Sequence, residues 1–161
     1  MLNYHEAQLN CQDKLGSSGI LFEPRDANTH TLVAAAADNI KRNIYWFGIN
    51  NLANQDQFVY DSDGEDIVEY NLYVGIWYPG QPNGGENRRC VYAVNWISGY
   101  GYGLLAPKEC DYKMYSICQL QNTGKERTLK HLQVNSFYYL AHVIKTTKFT
   151  NSESPIFCLL A

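Results

Sequence analysis

Residues 77–118 read WYPGQPNGGENRRCVYAVNWISGYGYGLLAPKECDYKMYSIC. Turn dipeptides crowd the start of this stretch: Pro79-Gly80, Asn83-Gly84 and Gly84-Gly85. Such pairs punctuate a chain, so residues 79–86 are expected to form an exposed loop and not the interior of an element. The short apolar runs Cys90 to Trp96 and Tyr115 to Leu120 group or alternate as strands do. Three cysteines lie within the stretch, and the expected picture is a ligand-sized loop pinned between strands by sulfur.

Working outward, Asn3 is placed to cap a helix from Tyr4 to Leu15, with Gly16 as its stop and with Ala7, Leu9 and Cys11 on one side. Ile20-Leu21-Phe22 reads as a short buried strand. Pro24 and Asp26 announce a second helix over about Ala27 to Arg42, in which Leu32, Val33, Ala36, Ala37 and Ile40 recur at helical spacing and pack on the sheet. Ile44 to Ile49 alternates and reads as a core strand. Phe58 to Tyr60 and a following strand flank a turn at Asp63-Gly64. The acidic run Asp61, Asp63, Glu65, Asp66, Glu69 is not an EF-hand, which needs glycine sixth and glutamate twelfth. Counted from Asp61, the glycine falls fourth and Leu72 is twelfth. A solvated turn is the expectation there, with an auxiliary calcium contact as the alternative.

The 161 residues suit one domain with room for a core. Aromatics make up 14% of the chain, charged residues only 18%, a balance that favours a loop-rich extracellular fold. The net charge of -3 divides unevenly: residues 1–121 carry eight Lys and Arg against fourteen Asp and Glu, whereas 122–161 carry five against two. No basic stripe lies on the first part, so nucleic-acid binding has little electrostatic support. No apolar run approaches the 18 residues of a membrane span, and the N-terminal residues have no signal-peptide pattern. Five cysteines stand at 11, 90, 110, 118 and 158. Any four can pair in three ways, and spacing does not choose among them. Zinc is disfavoured, because no Cys-x-x-Cys occurs and His5, His30, His131 and His142 lack ligand spacing.

An ordered set of segments carries a resemblance. Gln81-Pro82-Asn83 after Trp77, then Cys90, Cys110 and Ser116-Ile117-Cys118-Gln119, resembles the long-loop half of a C-type lectin-like domain. Tyr45-Trp46-Phe47-Gly48-Ile49-Asn50 resembles that family's central strand, Phe58-Val59-Tyr60 with Asp63-Gly64 the hairpin after it, and His5 to Cys11 its first helix. The resemblance implies an α+β fold, with two helices flanking antiparallel sheets and a long irregular ligand loop. It also implies the pairs Cys11 with Cys118 and Cys90 with Cys110, leaving Cys158 odd. Such bridges persist in an oxidising, extracellular compartment. The domain is expected over residues 1–121, without the strand that in the family precedes the first helix, and 122–161 as a C-terminal extension. Within that extension, 134–146 (VNSFYYLAHVIKT) has strand composition and is one candidate for the vacant sheet edge; the other reading leaves the extension outside the fold.

In sugar-binding members of the family, side-chain oxygens on both sides of a cis proline, a glutamate shortly after and a Trp-Asn-Asp triplet before the fourth cysteine hold calcium, which the sugar hydroxyls then complete. The resemblance therefore assigns Gln81, Asn83 and Glu86 as metal and sugar ligands. Glu86 stands four positions before Cys90, whereas the family glutamate stands two before, at the place of Arg88. The triplet position holds Leu105-Ala106-Pro107, which offers no side-chain oxygen, so a cation that wants six to eight oxygens is weakly held or absent. Glutamine first resembles galactose-type members and asparagine third resembles mannose-type ones. Tyr100 and Tyr102 are expected to stack on the ligand, while Trp96 divides between ligand and core.

Two functions follow. One is glycan or glycoprotein binding with little or no calcium dependence. The other is a protein-interaction module that keeps the scaffold and has lost the sugar chemistry. No nucleophile, base and orienting group can be assembled from the spacing, so no enzyme is expected.

Overall fold

A computed structural model describes residues 1–40, 44–67, 77–94 and 103–121, and the backbone of 157–160. Helix α1 spans Tyr4–Leu15. Asn3 caps it in a reciprocal box: Glu6 N–H donates to the Asn3 side chain at 2.8 Å and Asn3 N–H to the Glu6 carboxylate at 2.9 Å. Its inner stripe is Tyr4, Ala7 and Cys11. Leu9, expected on that side, is 51% exposed, because at 100° per residue it lies on the opposite face. Helix α2 spans Ala27–Asn39, shorter than expected, with Asp26 accepting from Thr29 N–H. It buries His30, Val33, Ala34, Ala36 and Ala37, and leaves Leu32 facing solvent and Ile40 as an exposed cap.

Among the described residues the strands in chain order are β1 (Gly19–Leu21), β2 (Ile44–Asn50), β3 (Val59–Tyr60), β4 (Cys90–Val94), β5 (Leu104–Lys108), β6 (Tyr115–Leu120) and β7 (Phe157–Leu160). They join in the order β1-β6-β2-β4-β5, with β3 on β2 and β7 on β6. The sheet is mixed and not purely antiparallel, because β2 runs parallel to β6. Strand β2 does not alternate between core and solvent as expected. Only Ile44 at its start is exposed, and Tyr45 to Ile49 are all buried. The period of two instead separates two cores. Tyr45, Phe47 and Ile49 join Phe22, Val33, Ala37, Val91 and Ile117 on one face. Trp46 joins Tyr4, Cys11, Met114 and Cys118 on the other.

Cys11 is bonded to Cys118 and Cys90 to Cys110. The first bridge ties α1 to β6; the second ties the start of β4 to the chain just beyond β5. The turn after β3 closes with Gly64 N–H on Tyr60 O, Gly64 at φ +72°, and its far side meets β3 through a bridge of Asp66 to Val59. Its acids are not simply solvated. Arg25 pairs with Glu23 at 2.9 Å, Asp63 at 2.6 Å and Glu65 at 2.9 Å, and lies over the Tyr60 ring at 4.1 Å. Glu69 lies outside the described residues, as does the 134–146 segment. The strand found along β6 is Phe157–Leu160, a segment with no strand assigned from sequence.

Candidate functional site

The loop begins where Trp77 bridges Leu105 on β5 and Tyr78 N–H donates to Leu105 O at 2.8 Å. The Trp77 ring packs on Phe58 with centroids 5.2 Å apart, fixing the start of the loop to the core. Tyr78-Pro79-Gly80-Gln81 is then a tight turn, with Gln81 N–H on Tyr78 O at 2.8 Å and Gly80 at φ +82°, the position where a type II turn requires glycine. The Gln81-Pro82 peptide is cis. Asn83 N–H donates to Gln81 Oε1 at 2.7 Å, so the two residues flanking the proline meet across it. Gln81 is half-buried, whereas Asn83 and Glu86 are exposed.

The return of the loop is closed by Arg88 N–H on Gly84 O at 3.2 Å. A Cβ on Gly84 would stand 2.3 Å from Arg88 O, so only glycine lets this turn close as it does, while Pro107 Cβ on β5 would lie at an ordinary contact distance of 3.4 Å. Arg89 then anchors the exit. It donates to Asn51 O at 2.9 Å through its guanidinium, and its carbonyl accepts Asn51 N–H at 3.0 Å. Beneath the loop, Glu109 meets Lys108 at 3.1 Å and Arg88 at 3.5 Å. Its own backbone N–H and Lys108 hold that carboxyl below its ordinary range.

Strand β5 was not assigned from sequence. It pairs with β4 from Cys90↔Lys108 to Val94↔Leu104, and Pro107 sits in it as an edge strand permits. Leu105, Ala106 and Pro107 are buried, so the surface facing the loop from this strand is aliphatic. Tyr100, Tyr102 and Trp96 lie outside the described residues. The structure brings Gln81 and Asn83 together and places Glu86 beyond Gly84, on the exposed crest of the turn.

These residues do not make a calcium cage. The cation wants six to eight oxygens, several of them anionic. Gln81 Oε1 already accepts an amide proton, Glu86 is the one carboxylate on the loop, and Ala106 and Pro107 contribute carbon. Among the described residues no three His, Cys, Asp or Glu side chains gather as a metal would require.

His30, buried on α2, is a polar group that sequence spacing did not single out. Its Nε2 lies 2.9 Å from Gly103 O, so Nε2 carries the proton and donates to the carbonyl where the chain enters β5. Burial lowers its pKa, opposed by that hydrogen bond and by Asp26.

Residues 1–120 match the family described as the lectin C-type domain. The chain belongs to that family. As a C-type lectin domain it is similar to Collectin-10 of Gallus gallus, at 27% identity over 124 residues, which are 76% of this chain and 40% of that protein. The chain thus spans well under half the length of the curated relatives it matches. The fold of the C-type lectin domain is shared with the mouse scavenger receptor C-type lectin carbohydrate-recognition domain (TM-score 0.56, 19% identity, 81% of this chain and 85% of that one). It is shared also with a lectin C-type domain from a hypothetical protein of C. elegans (TM-score 0.59, 19% identity, 95% and 88%). Among the described residues of this C-type lectin domain, no helix is long and apolar enough to cross a membrane.

Proposed function

We propose that this C-type lectin domain is a binding module for glycans or glycoproteins, acting outside the cell through Gln81, Asn83 and Glu86 without a tightly held calcium ion. The observation that carries the reading is the clasp of Asn83 N–H on Gln81 Oε1 at the tip of a loop fixed at both ends by Trp77 and Arg89. It presents amide groups to solvent in a held geometry, and preorganised donors and acceptors are what a sugar's hydroxyls need. Support for the substrate class comes from the similar mouse domain, described as a carbohydrate-recognition domain. Two disulfides support an oxidising compartment. Tyr100 and Tyr102 complete the proposed contact as stacking surfaces.

The test is a glycan array probed with the full chain in calcium and in chelator. Binding to a restricted glycan set that persists in chelator, and that falls about tenfold in Gln81→Ala or Asn83→Ala, is the expected outcome. Binding abolished by chelator would overturn the calcium-independent part. A second reading, a module for protein ligands, draws on the buried Leu105-Ala106-Pro107 run beside the loop, which offers no side-chain oxygen to a sugar or a cation. Silence across the array together with capture of a purified glycan-free protein ligand would establish it.

A further inference from the structure

The backbone groups of β6 divide by a period of two between its edges. Toward one edge, Phe22 N–H donates to Ile117 O and Gln121 N–H to Ser18 O, each at 2.8 Å. Toward the other, Met114 exchanges both bonds with Leu2, at 2.8 and 2.9 Å, so Ser116 and Cys118 face that way too. There β7 lies antiparallel, with Leu160 opposite Ser116 and Cys158 opposite Cys118. Leu2 is likewise antiparallel to Met114, and only Tyr115 separates the two pairings. Phe157–Leu160 and Leu2 are therefore two pieces of one discontinuous strand, supplied from distant parts of the chain.

We propose that this edge of β6 is a strand-acceptor site, and that in trans it takes the Phe157–Leu160 strand of a second copy of this chain, giving a reciprocally strand-exchanged dimer. The ladder is made by backbone groups in a fixed register, so the acceptor bonds its own segment and a second copy's identically. Residues 122–156 separate Gln121 from Phe157, and that length reaches at most about 120 Å when extended. A neighbouring molecule is within that reach. A four-residue strand makes few ladder bonds, so its release is a local opening that leaves the rest folded. The bare edge it exposes is a template for pairing, and a second copy carries the matching segment. Exchange preserves every bond, so the balance is set by the effective concentration of the tethered strand. That concentration is of the order of millimolar or below for a strand held on the same chain.

The test uses the full chain carrying Cys158→Ser, so that no dimer forms through that thiol. It is unfolded in urea with its disulfides intact and refolded at about 10 µM to about 1 mM, a range chosen to bracket the effective concentration; light scattering after gel filtration then gives the mass. The expected result is a dimer fraction that rises with refolding concentration, and mixed dimers when tagged and untagged chains refold together. By the alternation above, Leu160 N–H points into the ladder and Leu159 N–H away from it. Leu160→Pro is therefore expected to abolish the dimer and Leu159→Pro to retain it. A monomer at every concentration overturns the proposal, and so does a dimer that Leu160→Pro leaves intact. If Leu160→Pro does not fold, a chain with residue 161 joined to Met1 through a short glycine linker takes its place. It holds β7 on its own β6 from both sides and is expected to stay monomeric; a dimer from the closed chain overturns the proposal.

Discussion

The hydroxyl of Tyr4 donates to Oδ2 of Asp61 at 2.8 Å, joining the first turn of α1 to the turn after β3 across 57 positions of sequence. Gln8 Nε2 donates to the same oxygen at 2.7 Å and Asn50 Nδ2 to Oδ1. Burial pushes the Asp61 carboxyl up, and these three donors oppose the shift. Removing one donor leaves a mostly buried carboxylate short of a partner. Tyr4→Phe is expected to lower unfolding free energy by about 1–3 kcal/mol, read as a shift of the urea midpoint at unchanged slope. No shift would mean that water replaces the hydroxyl at no cost.

Arg25 is the counter-charge for Glu23, which is 3% exposed and also accepts from Ser62 N–H and Oγ. Without the guanidinium the carboxylate stays buried and uncompensated. Arg25→Ala is expected to cost about 2–4 kcal/mol, below the full range for a broken buried pair because Arg25 is partly open to solvent. Arg25→Lys recovers only part of it, since an ammonium cannot span Glu23, Asp63 and Glu65 as the fork does. Thermal melts of the three chains at one pH decide the matter, and equal melting temperatures for Arg25→Lys and wild type would contradict the fork argument.

Because burial lowers the His30 pKa, the folded chain binds fewer protons there than the unfolded chain at mildly acidic pH. Stability therefore falls as pH drops below about 6.5, the ordinary histidine value, and levels off below the folded pKa. His30→Gln keeps a donor for Gly103 O and does not titrate. The difference between wild type and this variant, measured by denaturation from pH 7.5 to 4.5, is expected to change with pH in that window. A constant difference would show that His30 titrates alike in both states.

Gly84 closes the return of the loop beside Pro107 on β5. Gly84→Ala drives a methyl into the Arg88 carbonyl, so the turn must rearrange. Ligand affinity is expected to drop about tenfold or more, while global stability falls by about 1–2 kcal/mol at most, because the loop lies outside both cores. Array binding and a urea melt on one preparation separate the two effects.

The disulfides differ in reach, closing 107 and 20 positions. Loop entropy assigns about 4–5 kcal/mol to Cys11–Cys118 and about 3 kcal/mol to Cys90–Cys110. Paired Cys→Ala variants are expected to follow that order in denaturant melts, with the long bridge the costlier loss. The reverse order would place the stabilisation in the native state and not in the unfolded chain.

What was legible in the sequence was mostly local. Asn3, Gly16 and Asp26 act on backbone groups within a few residues, so both helix starts and the end of α1 were readable. The end of α2 was less so, because Ile40 continues the apolar spacing while lying exposed as the cap. Strand β5 escaped notice because Pro107 argues against a central strand, and only the topology reveals that it is an edge. The acids after β3 read as solvated because their partner, Arg25, comes from 38 positions upstream of Asp63. At the loop, the turn glycines and the Gln81-Pro82-Asn83 run were visible at once. The closeness of Gly84 to Pro107 was not, since it depends on how two distant segments stack.

Trp46 and Phe47 are neighbours along β2, yet they belong to opposite hydrophobic clusters. One peptide plane is thus the party wall between the half of the molecule that carries α1 and the half that carries the loop. Neither half can melt without pulling on the other, so heat should take the domain apart in a single step. The loop from Pro79 to Asn87 lies outside that wall, and its surface positions are free to change their chemistry while the building behind them stands.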